Sequence, residues 1–542
     1  MDPMKGGALK PSLARSNALP RAAPAPIFLR SISGFACQAW IALLALVSFP
    51  IFIRLLGMEA FGLIGFCYTL QTLLRVLDLG LTPTVIRELA RAASTGEEPK
   101  SFIEKSSTFE TIFIATSGLI AIALLTLSPA IAHHWLRNES LSTGIVMVCL
   151  AIMSLQCGVN WLSSFYQSAL LGMERQVRLY LLRVVEATIS TLGALALILY
   201  TKADIQLVFI WQLAIAVAVL ACYRFAFTNS LPGHYQVFIF RFSYLQKIRR
   251  FAAGMGTITV LGLILTSMDK VFLSHFLSLD KFGIYSLASY AVSTIFGIVV
   301  PPIFNVMYPR FSSLALTDEQ ALRKIYHLTI QFFAIIAGPL LIGVLLFSRD
   351  FLILWTGSTT IANAAVGPIS WLALGWTLNT LMMASYILQI ASGWTSIGVR
   401  LSALLISIFA PALVILTISF GMAGAAASYA AMNAAYLVLG LLWTHRRLLR
   451  GQLSAVIFLD IGPMIVVCAL ILAIMRTDPL ESLNTWARLT AGAGATSIAF
   501  ILSAMATNQM REEILNKIQT LTHLIKKWFA SSPYPDKGEN RS

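Results

Sequence analysis

Residues 55–91 read LLGMEAFGLIGFCYTLQTLLRVLDLGLTPTVIRELAR. From Ala60 to Leu74 the run carries no charge, and Arg75, Asp78, Gly80 and Pro83 punctuate it before it resumes. A run apolar on every side has no face for water, so it reads as a membrane helix rather than a surface helix. It also lacks the alternation, over roughly ten residues, that marks an outer-membrane strand. The pattern recurs along a chain that is 57% hydrophobic and only 12% charged, against about 25% charged in soluble domains. Closing each apolar run at charge, Gly or Pro clusters predicts fourteen spans: 31–53, 61–91, 108–132, 144–171, 179–200, 204–224, 251–275, 282–308, 328–347, 364–391, 400–419, 422–444, 456–475 and 487–507. The fold class is therefore an all-α polytopic membrane protein of about fourteen transmembrane helices. No segment between spans is long enough to fold alone, which excludes a soluble enzyme with a tail anchor.

The opening phrase has an echo. LLGMEAFGLIGFCYTL at 55–70 aligns with FLSLDKFGIYSLASYA at 276–291, placing Phe61 and Gly62 opposite Phe282 and Gly283 at an offset of 221. YQSALLG at 166–172 faces YILQIASG at 386–393, with Gly172 and Gly393 again 221 apart. Two matches at one offset indicate a duplicated six-span unit in parallel orientation. The predicted organisation is a disordered tail (1–30), an N-lobe of six spans (31–224), a polar interlobe linker (225–250), a C-lobe of six spans (251–444), two appended spans (445–507), and an amphipathic surface helix with a polar tail (508–542, the helix at 511–529). With an even span count both termini share one side. Placing them inside puts 28 of the 39 Lys and Arg in cytoplasmic segments, including Arg446, Arg447 and Arg450, against seven outside. The positive-inside rule then makes both ends cytoplasmic, and the net charge of +15 reads as topogenic rather than as a nucleic-acid footprint.

The six cysteines lie inside apolar segments with no C-x-x-C spacing, and read as packing residues. The seven histidines show no zinc spacing, so no metal is predicted. No G-x-x-x-x-G-K-[ST] loop occurs, which argues against direct ATP use.

Paired lobes of six spans are the architecture of a rocking transporter with its substrate near the midplane. Spans interrupted at matching places point to the cavity: Gly80 and Pro83 in the second, Gly297, Pro301 and Pro302 in the eighth. These are candidate hinges, although membrane helices carry Gly and Pro freely. A charge at the bilayer centre costs roughly 2.5–3.5 kcal/mol on the mildest scale, so each one needs a reason. Arg183 with Glu186, near a cytoplasmic end, reads as a self-neutralising ion pair. Arg75, with Asp78 and Gln71 on its face, is deep and close to the break, and an arginine fork suits a phosphate or pyrophosphate. Lys270 is a second candidate cation for the head group. Asp78 and Asp269 are candidates for proton or sodium coupling. Asn160 and Asn379, among other amides and aromatics in span interiors, could face sugar or could hydrogen-bond neighbouring helices.

At this point a family resemblance enters. IRLLGMEAFGLIGFCYTLQTLLRVLDLGLTPTVIRELAR (53–91), YQSALLGMERQ (166–176), SMDKVFLSHFLSLDKFGIYSLA (267–288), YILQIASGWTSIGV (386–399) and GMAGAAASYAAMNAAY (421–436) occur in the order in which similar stretches occur in bacterial polysaccharide flippases. These form the O-antigen-type oligosaccharide branch of the multidrug, oligosaccharidyl-lipid and polysaccharide exporter superfamily, and the resemblance covers about residues 30–475. It implies two six-helix lobes in a V and a cationic cavity. Arg75 falls where lipid II flippases also place an arginine. The implied task is moving an undecaprenyl-pyrophosphate-linked oligosaccharide from the cytoplasmic to the periplasmic leaflet of the bacterial inner membrane, with no cofactor beyond a coupling proton or sodium ion. The implied partners are the lipid-linked oligosaccharide and membrane lipid, with a polymerase and glycosyltransferases of the same pathway as candidates. The two extra spans depart from a twelve-span pattern and are like the lipid II branch.

Two rivals stand beside this reading. A cation-coupled drug exporter would want carboxylates, not a deep arginine, in its cavity. A polysaccharide polymerase or ligase would want a sizeable outer loop bearing acid, base or arginine groups, and the longest one expected, 348–363, is short.

Overall fold

The computed structural model describes residues 27–95, 98–201, 204–231, 239–298, 300–394, 396–476, 484–507 and 511–512. Among these residues the chain is helical with no β-strand, apart from an isolated bridge between Arg137 and Ser278. Helices α1 (Ile27–Leu56), α2 (Met58–Leu74), α3 (Leu81–Thr95), α4 (Pro99–Ala130), α5 (Thr143–Gly172), α6 (Gln176–Thr201) and α7 (Ile205–Thr228) come first. They are followed by α8 (Phe242–Phe276), α9 (Leu279–Gly297), α10 (Val300–Thr317), α11 (Glu319–Thr356), α12 (Thr359–Ala391) and α13 (Ser396–Arg447). A single turn α14 (Leu453–Ala455) passes through a π-helical stretch (Val456–Ile461) into α15 (Gly462–Arg476), and α16 (Thr485–Ala506) follows. The tail at 1–26 and most of the amphipathic helix expected at 511–529 lie outside the described residues.

Among the described residues, eleven helices are long and apolar enough to cross a membrane. The chain is thus a multi-pass membrane protein of the expected class, while the count of fourteen is not confirmed. The differences have physical causes. The spans expected at 400–419 and 422–444 both lie in α13, which is interrupted by a non-helical Gly421 (φ 59°, ψ −136°), so the chain kinks at the boundary expected between them. Over the span expected at 282–308 the structure has two helices, α9, ending at Gly297, and α10, starting at Val300, of 19 and 18 residues. The outer loop expected at 348–363 is almost all helix, since α11 runs to Thr356 and α12 starts at Thr359. Little is left there on which an extramembrane active site could stand.

The opening stretch is also not one helix. After α2 the chain tightens into a 3-10 turn, Arg75–Asp78, then turns through Leu79 (φ 43°) and Gly80 (φ 80°) before α3. Glycine adopts this left-handed region without steric penalty, so the break falls at Gly80, and Leu79 carries the strain beside it. Asp78 finishes the break by accepting from Thr82 N at 3.0 Å and Thr82 Oγ1 at 2.6 Å, which satisfies a free donor at the start of α3. Pro83 follows in the first turn of α3, where its missing N–H costs nothing.

By mutual contact the chain divides into two units. The first takes the described residues up to Thr294, with Leu354–Pro368 and Gly398–Ser428. Its core is aromatic: Phe102, Phe109 and Phe113 of α4 meet Phe165 and Tyr166 of α5 and Phe227 of α7. The second takes Ile295–Ile353, Ile369–Ile397 and the described residues from Tyr429 onward. There Tyr326 and Phe333 of α11, Ile387 of α12, Leu441 of α13, Met464 of α15 and Ala499 of α16 share a core. Large side chains such as Leu119, Ile122, Ile418 and Phe458 are exposed. In water such a surface would aggregate, and against lipid it needs no cover.

Within the first unit the two copies of the repeated phrase meet. A Cβ on Gly283 would stand 2.7 Å from the Met58 carbonyl oxygen and 3.1 Å from Gly62 Cα, and one on Gly62 would overlap the Leu279 carbonyl. Glycine is present because backbone packs on backbone here, as at small-residue contacts between membrane helices. Gly62→Val should therefore force α2 and α9 apart at a cost of about 2 kcal/mol or more. The expected readout is a lower midpoint in thermal unfolding of the detergent-solubilised chain, with Gly118→Val, which meets no atom within 4 Å, as the tolerated control.

Candidate functional site

A cavity of about 730 Å³ opens inside the first unit, walled by α1, α2, the 3-10 turn and α3, α5, α6, α7 and α9. Its polar lining follows from helix spacing. On α5, Gln156, Asn160, Ser164 and Gln167 come three or four residues apart and so share one face; on α6, Tyr180, Arg183, Ala187 and Ser190 do the same. Gln71 and Tyr68 enter from α2 and Gln212 from α7. Aromatic walls are anchored rather than loose, with Trp161 donating from Nε1 to Thr116 Oγ1 at 2.8 Å.

Two guanidinium groups, Arg75 and Arg183, line this one cavity. Among the described residues neither is held by an ion pair or a hydrogen bond. The carboxylates beside them are engaged elsewhere: Asp78 accepts from Thr82, and Glu186 accepts from the Tyr223 hydroxyl at 2.9 Å. Glu186 is thus bonded to α7 and makes no direct ion pair with Arg183, although the two charges still act on each other. Gln156 Oε1 is buried with no partner. The cavity offers unsatisfied donors on two arginine forks and amide groups for hydroxyls, a set suited to an anionic, sugar-bearing group.

Of the residues singled out from sequence, Arg75, Gln71, Asp78, Asn160 and Pro83 line this cavity, and Gly80 forms the break beside it. Asp269 and Lys270 of α8 are not in its lining; they pair at 3.5 Å, and Asp269 also accepts from Tyr285 Oη at 2.6 Å. Asn379 lies in the second unit and donates to Asn433 Oδ1 at 2.9 Å, an interhelical bond between α12 and α13. Gly297 ends α9, and Pro301 stands in the first turn of α10. Sequence reasoning undervalued Arg183. The signal that would have raised it is the polar stripe at 180, 183 and 190, read at helical period.

With the geometry in hand, comparison with known proteins decides the family. A family model described as "Polysaccharide biosynthesis protein" matches residues 31–315. The chain belongs to the polysaccharide biosynthesis protein family. A relative from Shigella flexneri named as an O-antigen transporter is 22% identical over 390 residues, 71% of this chain and 90% of that protein. Among solved structures, the lipid II flippase in an inward closed conformation superposes with a TM-score of 0.65 over 88% of this chain and 98% of that one, at 14% identity. An inward-facing multidrug resistance MATE family transporter of the MOP superfamily gives 0.63 over 79% and 95%, at 13% identity. Likeness at such identities shows the fold, and it is one of polytopic transporters. The family and its neighbours are transporters and flippases, not enzymes.

Proposed function

We propose that the chain is a lipid-linked oligosaccharide flippase. It moves undecaprenyl-pyrophosphate-linked polysaccharide repeat units from the cytoplasmic to the periplasmic leaflet of a bacterial inner membrane by alternating access. The observation that carries this reading is the pair of unbonded arginines on one polar cavity in a member of a polysaccharide family. In a low-dielectric setting a cation with no directly bonded partner is costly even with Asp78 and Glu186 in electrostatic range, and a phosphorylated ligand offsets that cost. A volume of about 730 Å³ lies within the roughly 300–1,000 Å³ that encloses a drug-sized ligand, which suits a pyrophosphate with its first sugars. The polyprenyl tail needs no shelter, since lipid is its solvent. Arg75 and Arg183 hold the pyrophosphate, Asn160 and Gln71 meet hydroxyl groups, and bending at Gly80 and Pro301 accompanies the change of access. A proton or sodium gradient drives the cycle, and both termini face the cytoplasm.

The drug-exporter rival shares the fold, but a cavity biased toward positive charge repels organic cations. Deleting the gene separates the two. We expect complete lipid-linked repeat units to build up on the cytoplasmic face while surface polymer disappears. Normal surface polymer with altered drug tolerance would instead establish the exporter.

A further inference from the structure

The second unit buries a polar cluster that the cavity does not use. His327 of α11 bonds through Nδ1 to Asp460 Oδ2, and its Nε2 lies 3.1 Å from Gln452 Oε1. Gln331, one turn along α11, donates from Nε2 to the other Asp460 oxygen at 2.7 Å. Asp460 is 2% and His327 8% exposed. A carboxylate enclosed in an otherwise apolar span is costly, and such residues are by default functional. Asp460 also sits in the π-helical stretch Val456–Ile461, a geometry met mostly at functional positions.

A second histidine stands beside the pair. His445 of α13 directs Nδ1 at the Leu441 carbonyl oxygen, 2.7 Å away; a carbonyl only accepts, so Nδ1 carries the proton. Its Nε2 is then a bare acceptor, buried and without a partner, in a residue 3% exposed. The Tyr326 ring lies edge-on to both histidines, with centroids 5.9 Å from His327 and 5.5 Å from His445. Among the described residues, the titratable groups recorded against His327 are Asp460, His445 and Tyr326, and from α12 the neutral Ser385 hydroxyl lies 2.7 Å from Tyr326 Oη.

We propose that His327, Asp460 and His445 form the binding site for the coupling proton of transport. The chemistry favours a proton over sodium. Both Asp460 oxygens already receive N–H donors, whereas a hard cation asks for six or so oxygen ligands. With Gln452 presenting its amide oxygen, both His327 nitrogens carry protons and the pair is the loaded, neutral imidazolium–carboxylate. On release of the proton to water, the ring turns neutral and the Gln452 amide rotates to present its NH₂ instead, leaving a buried net charge of −1. The His445 Nε2 lone pair is the adjacent way station. Loading therefore alters the tie between α11, α13 and the start of the appended spans, and this placement replaces Asp78 and Asp269, which cap a helix and pair with a lysine.

The inference rests on the transport reading, so its test keeps the two apart. Full-length protein is reconstituted into phosphatidylethanolamine–phosphatidylglycerol vesicles together with lipid-linked oligosaccharide extracted from the deletion strain, and a pH gradient of one unit is imposed. One coupled proton biases the steady-state leaflet ratio about tenfold per pH unit. We expect that bias from the wild-type chain, and none from Asp460→Asn or His327→Gln, either of which suffices should the other fail to insert. The same bias in both variants, or a wild-type response to sodium but not to pH, overturns the proposal. If the wild-type chain moves no lipid-linked oligosaccharide, the flippase reading fails. The site is then judged on potentiometric titration of purified protein, where Asp460→Asn should take up fewer protons around neutral pH than the wild-type chain, and identical curves there overturn the site.

Discussion

Arg75→Ala should lower export of repeat units about a hundredfold while the protein inserts at normal abundance. Two charge-assisted hydrogen bonds of roughly 1.5 kcal/mol each sum to about 3 kcal/mol, or about two factors of ten. Stability should fall far less than transport, because no protein group is hydrogen-bonded to this guanidinium and Asp78, which loses its electrostatic attraction, stays bonded to Thr82. Arg75→Lys keeps the charge but loses the planar fork, so it should retain an intermediate level. Arg183→Ala should show the same split between transport and abundance. The check is complementation of the deletion strain, reading surface polymer and lipid-linked intermediates beside an immunoblot of the membrane fraction. Full export in the Arg75→Ala strain would remove the head-group site.

Glu59→Ala should do the reverse, removing folded protein rather than a ligand contact. The carboxylate of Glu59, buried in the first turn of α2, accepts from the backbone N–H groups of Glu139 at 2.8 Å, Ser140 at 2.7 Å and Leu141 at 3.1 Å, and from the Ser140 hydroxyl. It therefore organises the whole connection between α4 and α5. Glu139 and Ser140 are exposed, so water takes part of the lost bonding, and with bonds to a charged group worth roughly 1.5–3 kcal/mol each the expected loss is about 3 kcal/mol. One effect opposes this. Burial holds Asp280 above the ordinary carboxylate range, with Glu59 and Glu139 adding to the shift, so removing Glu59 relieves some repulsion. Asp280 is largely solvated, and that relief is too small to offset three lost bonds. We expect Glu59→Ala to be depleted from membranes and to unfold at lower temperature, with Glu59→Gln in between because it keeps one acceptor oxygen. Equal melting of all three chains would show that the connection does not depend on this carboxylate.

The sequence reveals the class of fold through a crude signal, apolar length, which side-chain chemistry alone supplies. It also reveals the break at Gly80, because a glycine before a helix-starting proline has few other uses. It fails where two elements look alike in composition. One apolar run expected at 282–308 is α9, ending at Gly297, and α10, starting at Val300, whereas the boundary expected between 419 and 422 does fall at the non-helical Gly421. At the site, Arg75 is legible because a deep cation needs a reason. Arg183 is less so, since Glu186 three residues on offers a partner, whereas in the structure that carboxylate is bonded to Tyr223 and makes no direct ion pair with Arg183. Lys270 and Asp269, also singled out from sequence, pair with each other, with Asp269 also bonded to Tyr285, and do not line the cavity. Asp460 was visible as a lone carboxylate in an apolar span, but its partner His327 lies 133 residues away, beyond any local pattern.

The central claim is that the two arginines form one receptor for a lipid-borne pyrophosphate. Native mass spectrometry of the purified full-length chain with undecaprenyl pyrophosphate tests it without reference to sugars or gradients. The account predicts that the wild-type chain retains one such lipid and that the Arg75→Ala, Arg183→Ala double variant, equally folded, loses it. Equal retention by the two proteins would contradict the account.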